Sequence, residues 1–275
     1  MSNVNFNTYL NSAIVLNDVE TWPREWILFL EKNRKEIEKY IFREKEIEIN
    51  KKKLDDATVV NEYNSTKKKI EAAFSNLFFN ERYEFYCFHA TRLMNYEADN
   101  IQQEGLENCS EEAIRLKIDN LLNHKLINKT EYELIISSNF LNVERQKLLR
   151  ENRLYFIFGN QDIRYVEDNS SAIWTFLSNY GGEVIHLGLA SIGNETLISK
   201  LNKNSKPYLV ICKMKMSILK EQFEYCLFNT FIKSYFDKKV DKIENEFYVC
   251  GNCVDCVDIV ELDDSSKIIK TKRIW

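Results

Sequence analysis

The sequence YEFYCFHATRL, residues 83–93, has the composition of a buried β-strand and carries one histidine, His89. Aromatic residues dominate this segment, and they favour strands. A short helix is expected next, and Gly105 predicts where it ends, because glycine adopts the backbone angles that close a helix. A single histidine in an apolar strand either packs in the core or contacts a ligand, so the choice depends on the rest of the chain.

The composition is that of a globular protein large enough to bury a sizeable core. The 275 residues are 44% hydrophobic and 29% charged, with only seven glycines and two prolines. Flexible linkers are therefore not expected. The formal net charge of -4 argues against a protein that mainly coats nucleic acid. No apolar run is long enough to span a bilayer and no secretory signal begins the chain, so no membrane association and a cytoplasmic location are expected.

Residues 1–80 are predicted to be an N-terminal helical region. Thr21 and Pro23 are typical of a helix start, and apolar residues then recur at helical spacing to about residue 54. A second amphipathic helix is predicted from about Ala57 to Phe79. Together the two would form a helical hairpin that packs on its own domain or binds a partner.

Residues 81–275 alternate between predicted strands and helices, which indicates an α+β protein with a mixed or antiparallel sheet. Two or three short helices are expected at about 110–150. Further helices are predicted at 170–180 and 217–239. Strands are predicted at 154–159, 184–189, 207–214, 246–250 and 257–262. No glycine-rich strand-to-helix turn is present, which disfavours Rossmann and P-loop domains.

Three segments in this order resemble the motifs of the ADP-ribosyltransferase superfamily, of the His-Tyr-Glu type found in poly-ADP-ribose polymerases and DNA-modifying toxins. They are His89-Ala90-Thr91, the strand that carries Tyr155, and Asn245-Glu246-Phe247-Tyr248-Val249. The resemblance spans about residues 83–263. It implies a split mixed or antiparallel sheet, and the N-terminal hairpin lies outside it. The long interval between His89 and Tyr155 requires a helical insertion at about 110–150. The chain departs from the family in having Ala90 where glycine is usual, and in the long interval between His89 and Tyr155.

The resemblance also implies roles for individual residues and NAD as the substrate, with no metal. His89 would hold a ribose hydroxyl, and the backbone at Ala90 would bind the nicotinamide carboxamide beside Thr91. Tyr155 would stack on the nicotinamide ring, with Tyr165 a candidate for its other side. Arg92 could pair with a pyrophosphate oxygen.

Two glutamates compete for the catalytic role. Glu246 has the fuller motif match, because an aromatic residue and a closing strand follow it. Glu183 follows two glycines and also begins a predicted strand. A carboxylate beside the ribose stabilises the positive charge that develops when the nicotinamide–ribose bond breaks.

The resemblance implies an NAD-dependent mono-ADP-ribosyltransferase, with a bacterial toxin or anti-phage effector as the expected setting. Basic clusters at 51–53 and 67–69 favour RNA or DNA over protein as the acceptor. An antitoxin or another partner is expected at the N-terminal helices. The alternatives are an NAD glycohydrolase, an RNA 2'-phosphotransferase, and a non-enzymatic interaction protein with the same fold.

Cys250, Cys253 and Cys256 have a spacing that would suit zinc or an iron–sulfur cluster. No fourth ligand is evident nearby, and small thiols also fill sheet hairpins. We expect these three thiols to be free of metal.

Overall fold

The computed structural model describes residues 14, 19–49, 57–156, 176–220, 231–232, 235–236, 247–250 and 253–262. Helices and strands are both present, and the α+β class predicted from the sequence is confirmed. The chain forms two compact units. One combines Met1–Phe85 with Met214–Ile243, and the other combines Tyr86–Lys213 with Glu244–Trp275. The predicted boundary at residue 80 lies near that of the first unit, but residues 214–243 join the N-terminal unit rather than the sheet domain.

The first unit contains the helices α1 (Arg24–Lys32), α2 (Arg34–Ile49) and α3 (Ala57–Phe78), preceded by a 3-10 turn at Val19–Thr21. Trp26 is fully buried at its centre, and its ring stacks on Phe78 at 4.1 Å. The predicted first helix is interrupted at Asn33, whose side-chain amide donates to the Phe29 carbonyl. An asparagine bonded to its own backbone offers an alternative to the helical pattern, which explains the break.

The principal sheet has the strand order β1 (Glu84–Leu93), β4 (Lys206–Lys215), β7 (Cys256–Glu261). Strands β4 and β7 are antiparallel, with Val210 opposite Ile259. Two shorter antiparallel pairs join β3 (Arg153–Phe156) to β5 (Phe247–Cys250), and β2 (Leu106–Glu107) to β6 (Cys253–Val254). The strands predicted at 207–214, 246–250 and 257–262 are confirmed within one or two residues. The predicted strand at 154–159 is described only as far as Phe156.

The histidine-bearing segment is a strand, as predicted, but the strand continues beyond His89, which is the sixth of its ten residues and does not lie at its end. The helix α4 (Asn95–Glu104) follows the strand, and Gly105 closes it with a φ of 85°, as predicted. A residue with a β-carbon would be strained at that angle. The strand and helix therefore form the predicted unit, with His89 inside the sheet.

The short helices predicted at 110–150 are confirmed as α5 (Glu111–Asn123), α6 (Lys129–Ser138) and α7 (Glu144–Arg150), with a 3-10 turn at Phe140–Asn142. We call these three helices the insertion. Ser110 caps α5 by accepting a hydrogen bond from the Ala113 amide. Asn128 and Glu131 form a capping box at the start of α6. These side chains occupy backbone amides that have no partner within their helix, which fixes where each helix begins.

The predicted strand at 184–189 is wrong, because these residues belong to the helix α8 (Gly182–Ser191). The helix α9 (Glu195–Asn204) follows it. A short apolar run does not distinguish a buried strand from a buried helix, and Ile185 and Leu189 are buried against α5, α6 and α9. Gly188 allows the close approach of α6, since a β-carbon there would lie 2.3 Å from the Ser138 carbonyl oxygen.

The predicted helices at 170–180 and 217–239 are described only in part. Residues 176–178 are helical, as are 231–232 and 235–236, and a 3-10 turn occupies Met216–Leu219. Among the residues that the structure describes, no helix combines the length and apolar character needed to cross a membrane.

Candidate active site

The second unit contains a cavity of about 340 Å³. Its wall is formed by β1, α4, the α5 and α7 helices of the insertion, β3, and the start of α8. Five residues that the sequence singled out line it: His89, Ala90, Thr91, Tyr155 and Glu183. The structure therefore brings the first and second motif segments together, with one of the two candidate glutamates.

His89 and Tyr155 are joined directly, because the distance from His89 Nδ1 to the Tyr155 carbonyl oxygen is 2.8 Å. A carbonyl only accepts, so Nδ1 carries the proton and donates it. In the neutral ring Nε2 is then an acceptor. Burial lowers the pKa of His89 below its usual 6.5, the hydrogen bond to Tyr155 raises it, and the charge of Lys117 lowers it. The side chain keeps some exposure where it lines the cavity, and the lowered pKa favours the neutral ring.

The backbone and the side-chain hydroxyl of Tyr155 are both held by hydrogen bonds. Its backbone is paired in register with Tyr248 in the β3–β5 ladder. Its hydroxyl donates to the Leu149 carbonyl of α7 at 2.5 Å. The ring is half-buried and lines the cavity. The position of the ring is therefore fixed by both the backbone and the hydroxyl.

Glu183 lies in the first turn of α8, so it begins a helix and not the strand that the sequence predicted. Its Oε2 is 2.5 Å from Nη2 of Arg150, and the two side chains are 34% and 16% exposed. Arg150 also donates from Nη1 to Gln146 at 2.5 Å. The carboxylate of Glu183 therefore faces the cavity as part of an ion pair.

A second ion pair on the cavity wall was missed from the sequence. Lys117 of α5 lies 2.7 Å from Glu97 of α4, with side chains 22% and 11% exposed. Tyr180 donates its hydroxyl to the same Glu97 oxygen at 2.9 Å, and the Lys117 ammonium lies 4.7 Å from the centre of the Tyr180 ring. The other Glu97 oxygen accepts from the Met94 amide. In the sequence, Glu97 is an ordinary acidic residue in the first turn of a helix. Only the position of α5 shows that it also pairs with Lys117.

Arg92, a predicted pyrophosphate ligand, does not line the cavity. Its side chain is buried and donates to the Leu177, Asn202 and Ser205 carbonyls at 2.8 to 3.2 Å. Its Nε also donates to the Ser205 hydroxyl. Two of these residues, Asn202 and Ser205, are at the C-terminal end of α9, where helix carbonyls lack partners of their own. The guanidinium therefore holds α9 in place.

Two predicted site residues, Glu246 and Tyr165, lie outside the described residues. Strand β5 begins at Phe247, directly after Glu246, and Phe247 is paired with Phe156. The ladder therefore joins the segment that follows Glu246 to the strand that carries Tyr155.

Among the residues that the structure describes, no group of three or more potential ligands could hold a metal ion. The side chains of Cys250 and Cys253 are not among those described. The Cys256 thiol is half-buried, and burial raises its pKa to about 11. Absence of metal at the three cysteines stays a prediction.

No family model, no curated protein and no solved structure matches the chain. The family resemblance thus depends on the motif residues and on how the fold arranges them.

Proposed function

We propose that the chain is an NAD-dependent mono-ADP-ribosyltransferase with an ADP-ribosyltransferase-like sheet. The main support is the hydrogen bond between His89 and Tyr155, which are 66 residues apart and line one cavity. The resemblance assigns these two residues to the ribose and the nicotinamide of the same NAD molecule. A cavity of about 340 Å³ falls within the range of about 300–1,000 Å³ typical of small-molecule sites.

His89 and the strand around it would orient the nicotinamide half of NAD. Nε2 of the neutral ring would accept a hydrogen bond from a ribose hydroxyl, since Nδ1 is engaged with Tyr155. The backbone at Ala90 would bind the carboxamide, and Tyr155 would stack on the nicotinamide ring. In the reaction the bond between the ribose C1' and the nicotinamide nitrogen breaks, and nicotinamide leaves with the electron pair. An acceptor then bonds to C1' and loses its proton.

Glu246 is the catalytic carboxylate in this proposal. A carboxylate beside the ribose would stabilise the developing oxocarbenium charge and accept a hydrogen bond from the 2'-hydroxyl. Glu183 is the other candidate, and its ion pair with Arg150 already compensates its charge. A paired carboxylate is less effective at stabilising a new positive charge, which favours Glu246 on physical grounds as well as on its motif.

The acceptor and the biological setting are further parts of the proposal. The motif around Glu246 is similar to that of DNA-modifying toxins, so RNA or DNA is preferred over protein as the acceptor. A bacterial toxin or anti-phage effector is the proposed setting, with an antitoxin or another partner at α1–α3.

Incubation of a cell lysate with the protein and NAD labelled in its adenylate half tests the proposal. Transferase activity attaches label to a macromolecule, and heat-inactivated protein is the control. Loss of that label to nuclease identifies nucleic acid, whereas loss to protease identifies protein. Release of free ADP-ribose alone would indicate an NAD glycohydrolase. Unchanged NAD would contradict both activities.

A further inference from the structure

The helical insertion brings two cations to the cavity, Lys117 from α5 and Arg150 from the last turn of α7. Both are largely enclosed, with side chains 22% and 16% exposed. Neither position belongs to the motif segments at 89–91 or 245–249. The motif residues that line the cavity from β1 and β3 are uncharged. The insertion therefore adds positive charge to the cavity.

The thiol of Cys109 lines the same cavity as the two cations. Burial raises the pKa of Cys109 to about 11, and the charges of Arg150 and Lys117 both act to lower it. Lys117 also acts on His89, whose pKa its charge helps to lower. The charge of Lys117 thus acts on both His89 and Cys109, and that of Arg150 acts on Cys109.

Each cation already contacts a carboxylate, but neither is saturated by it. A lysine ammonium carries three N–H donors and a guanidinium carries five. Within the part of the chain that the structure describes, Nε of Arg150 is buried and has no hydrogen-bond partner. A buried donor without an acceptor is unfavourable, so Arg150 gains from an additional oxyanion.

The cavity as a whole has no excess of positive charge. Among the described lining residues, Glu97, Glu104, Glu107 and Glu183 outnumber Lys117, Arg150 and Arg153. An anionic group would therefore depend on individual cations, and Lys117 and Arg150 are two that are largely enclosed.

We propose that Lys117 and Arg150 form a subsite for the diphosphate of the bound dinucleotide, next to the ribose position of His89. The subsite rests on the proposed function in that its ligand is a dinucleotide. It takes the role that the sequence assigned to Arg92. Glu97 and Glu183 compete with the phosphates for the same cations, so they set how tightly the diphosphate is held.

Calorimetric titration of the full chain with ADP-ribose and with inorganic pyrophosphate tests the subsite. Arg150→Gln and Lys117→Gln should each weaken binding about 10-fold or more, the scale for loss of a hydrogen bond to a charged group. Glu183→Gln should tighten it, because Arg150 is then released from its ion pair. Lys147→Gln is the matched control. Lys147 is on α7 and forms ion pairs with Glu111 and Glu151, but it does not line the cavity.

A second measurement uses the unmodified protein and so does not depend on any variant folding. Iodoacetamide labelling of Cys109 should slow as ADP-ribose occupies the subsite. Cys256 is an internal reference, because it is also half-buried, has a pKa of about 11 and does not line the cavity. Equal labelling of Cys109 with and without ADP-ribose would overturn the subsite.

The measurements distinguish an incorrect subsite from an incorrect proposed function. NAD cleavage with an unchanged Michaelis constant in Arg150→Gln and Lys117→Gln would overturn the subsite and leave the transferase in place. Protection of Cys109 by ADP-ribose in a protein that never cleaves NAD would support the subsite and contradict the transferase.

Discussion

At the residue scale, the hydrogen bond between His89 and the Tyr155 carbonyl decides which imidazole nitrogen can serve a ligand. Nδ1 must donate, so Nε2 must accept, and it can do so only while the ring is neutral. Burial lowers the pKa of His89, which favours the neutral ring. A substitution of His89 that keeps the size of the side chain but leaves no acceptor at the position of Nε2 would lose the hydrogen bond to the ligand.

The first prediction is a pH dependence of NAD binding. Affinity should fall on acidification as His89 becomes protonated and Nε2 stops accepting. Because burial lowers the pKa of His89, the midpoint of the fall should lie below 6.5, the usual histidine value. Calorimetric titrations from pH 5 to 8 measure this. An affinity that rises on acidification would contradict the assigned role of His89.

The second prediction separates the two glutamates. Glu246→Gln should lower the rate of NAD cleavage by ~10²–10³ with little change in NAD affinity, because glutamine keeps the size and removes the stabilising charge. Glu183→Gln should lower the rate less, since its charge is already paired with Arg150. Single-turnover kinetics with both variants measure this. If the two results are exchanged, Glu183 is the catalytic residue.

The third prediction concerns Arg92, which is 4% exposed. Arg92→Met should lower the free energy of unfolding by about 2–4 kcal/mol, because the carbonyls at the end of α9 lose their charged donor. Chemical denaturation measures the change. Arg82→Met is the control, since its ion pair with Glu25 is exposed and should contribute less than about 1 kcal/mol. A stable Arg92→Met variant that binds NAD poorly would contradict the structural role and indicate that Arg92 binds NAD.

At the element scale, the pairing of α6 with α8 depends on Gly188. We predict that Gly188→Ala destabilises the protein by about 1–3 kcal/mol, although alanine favours helices by about 1 kcal/mol, because the new β-carbon meets the Ser138 carbonyl. Gly193→Ala is the comparison, as Gly193 has a φ of 69° but open space around it. Thermal unfolding should rank Gly188→Ala as the more harmful change. The reverse order would show that α6 shifts readily to accommodate a β-carbon at position 188.

Sequence patterns located the elements whose signals are local. The strands β1, β4, β5 and β7 follow from aromatic and β-branched runs, and Gly105 and Ser110 fixed helix ends by their own backbone chemistry. The helix α8 was mistaken for a strand because its apolar residues are buried on several sides. That burial depends on α5, α6 and α9, which are distant in the chain.

The same division applies to the candidate site. His89, Tyr155 and Glu183 could be selected from short patterns, and the fold places all three on one cavity. Lys117 and Arg150 could not be selected, since each looks like an ordinary solvated helix residue. Only the docking of the insertion beside β1 gives them a role. Arg92 was selected as a ligand residue because it lies close to His89 in the sequence. Its hydrogen-bond acceptors instead come from residues 177 and 202–205, which are distant in the chain.

At the scale of the whole molecule, the two units have different characters. The first has an aromatic core in which Trp26, Phe74, Phe78 and Phe231 pack together, and it has the helices expected to meet a partner. The second holds the cavity and every described residue proposed to contact NAD. In the proposed function, NAD would bind to the second unit, and a partner would bind to the helices of the first.

The central claim is that this cavity binds NAD through His89, and calorimetric titration with NAD tests it most directly. The wild-type chain should give saturable binding of one NAD per chain. His89→Ala should weaken that binding several-fold, the scale of one neutral hydrogen bond at ~0.5–1.5 kcal/mol. His124→Ala should bind like the wild type, because His124 lies at the end of α5 and does not line the cavity. A wild-type protein that shows no saturable heat with NAD would contradict the claim.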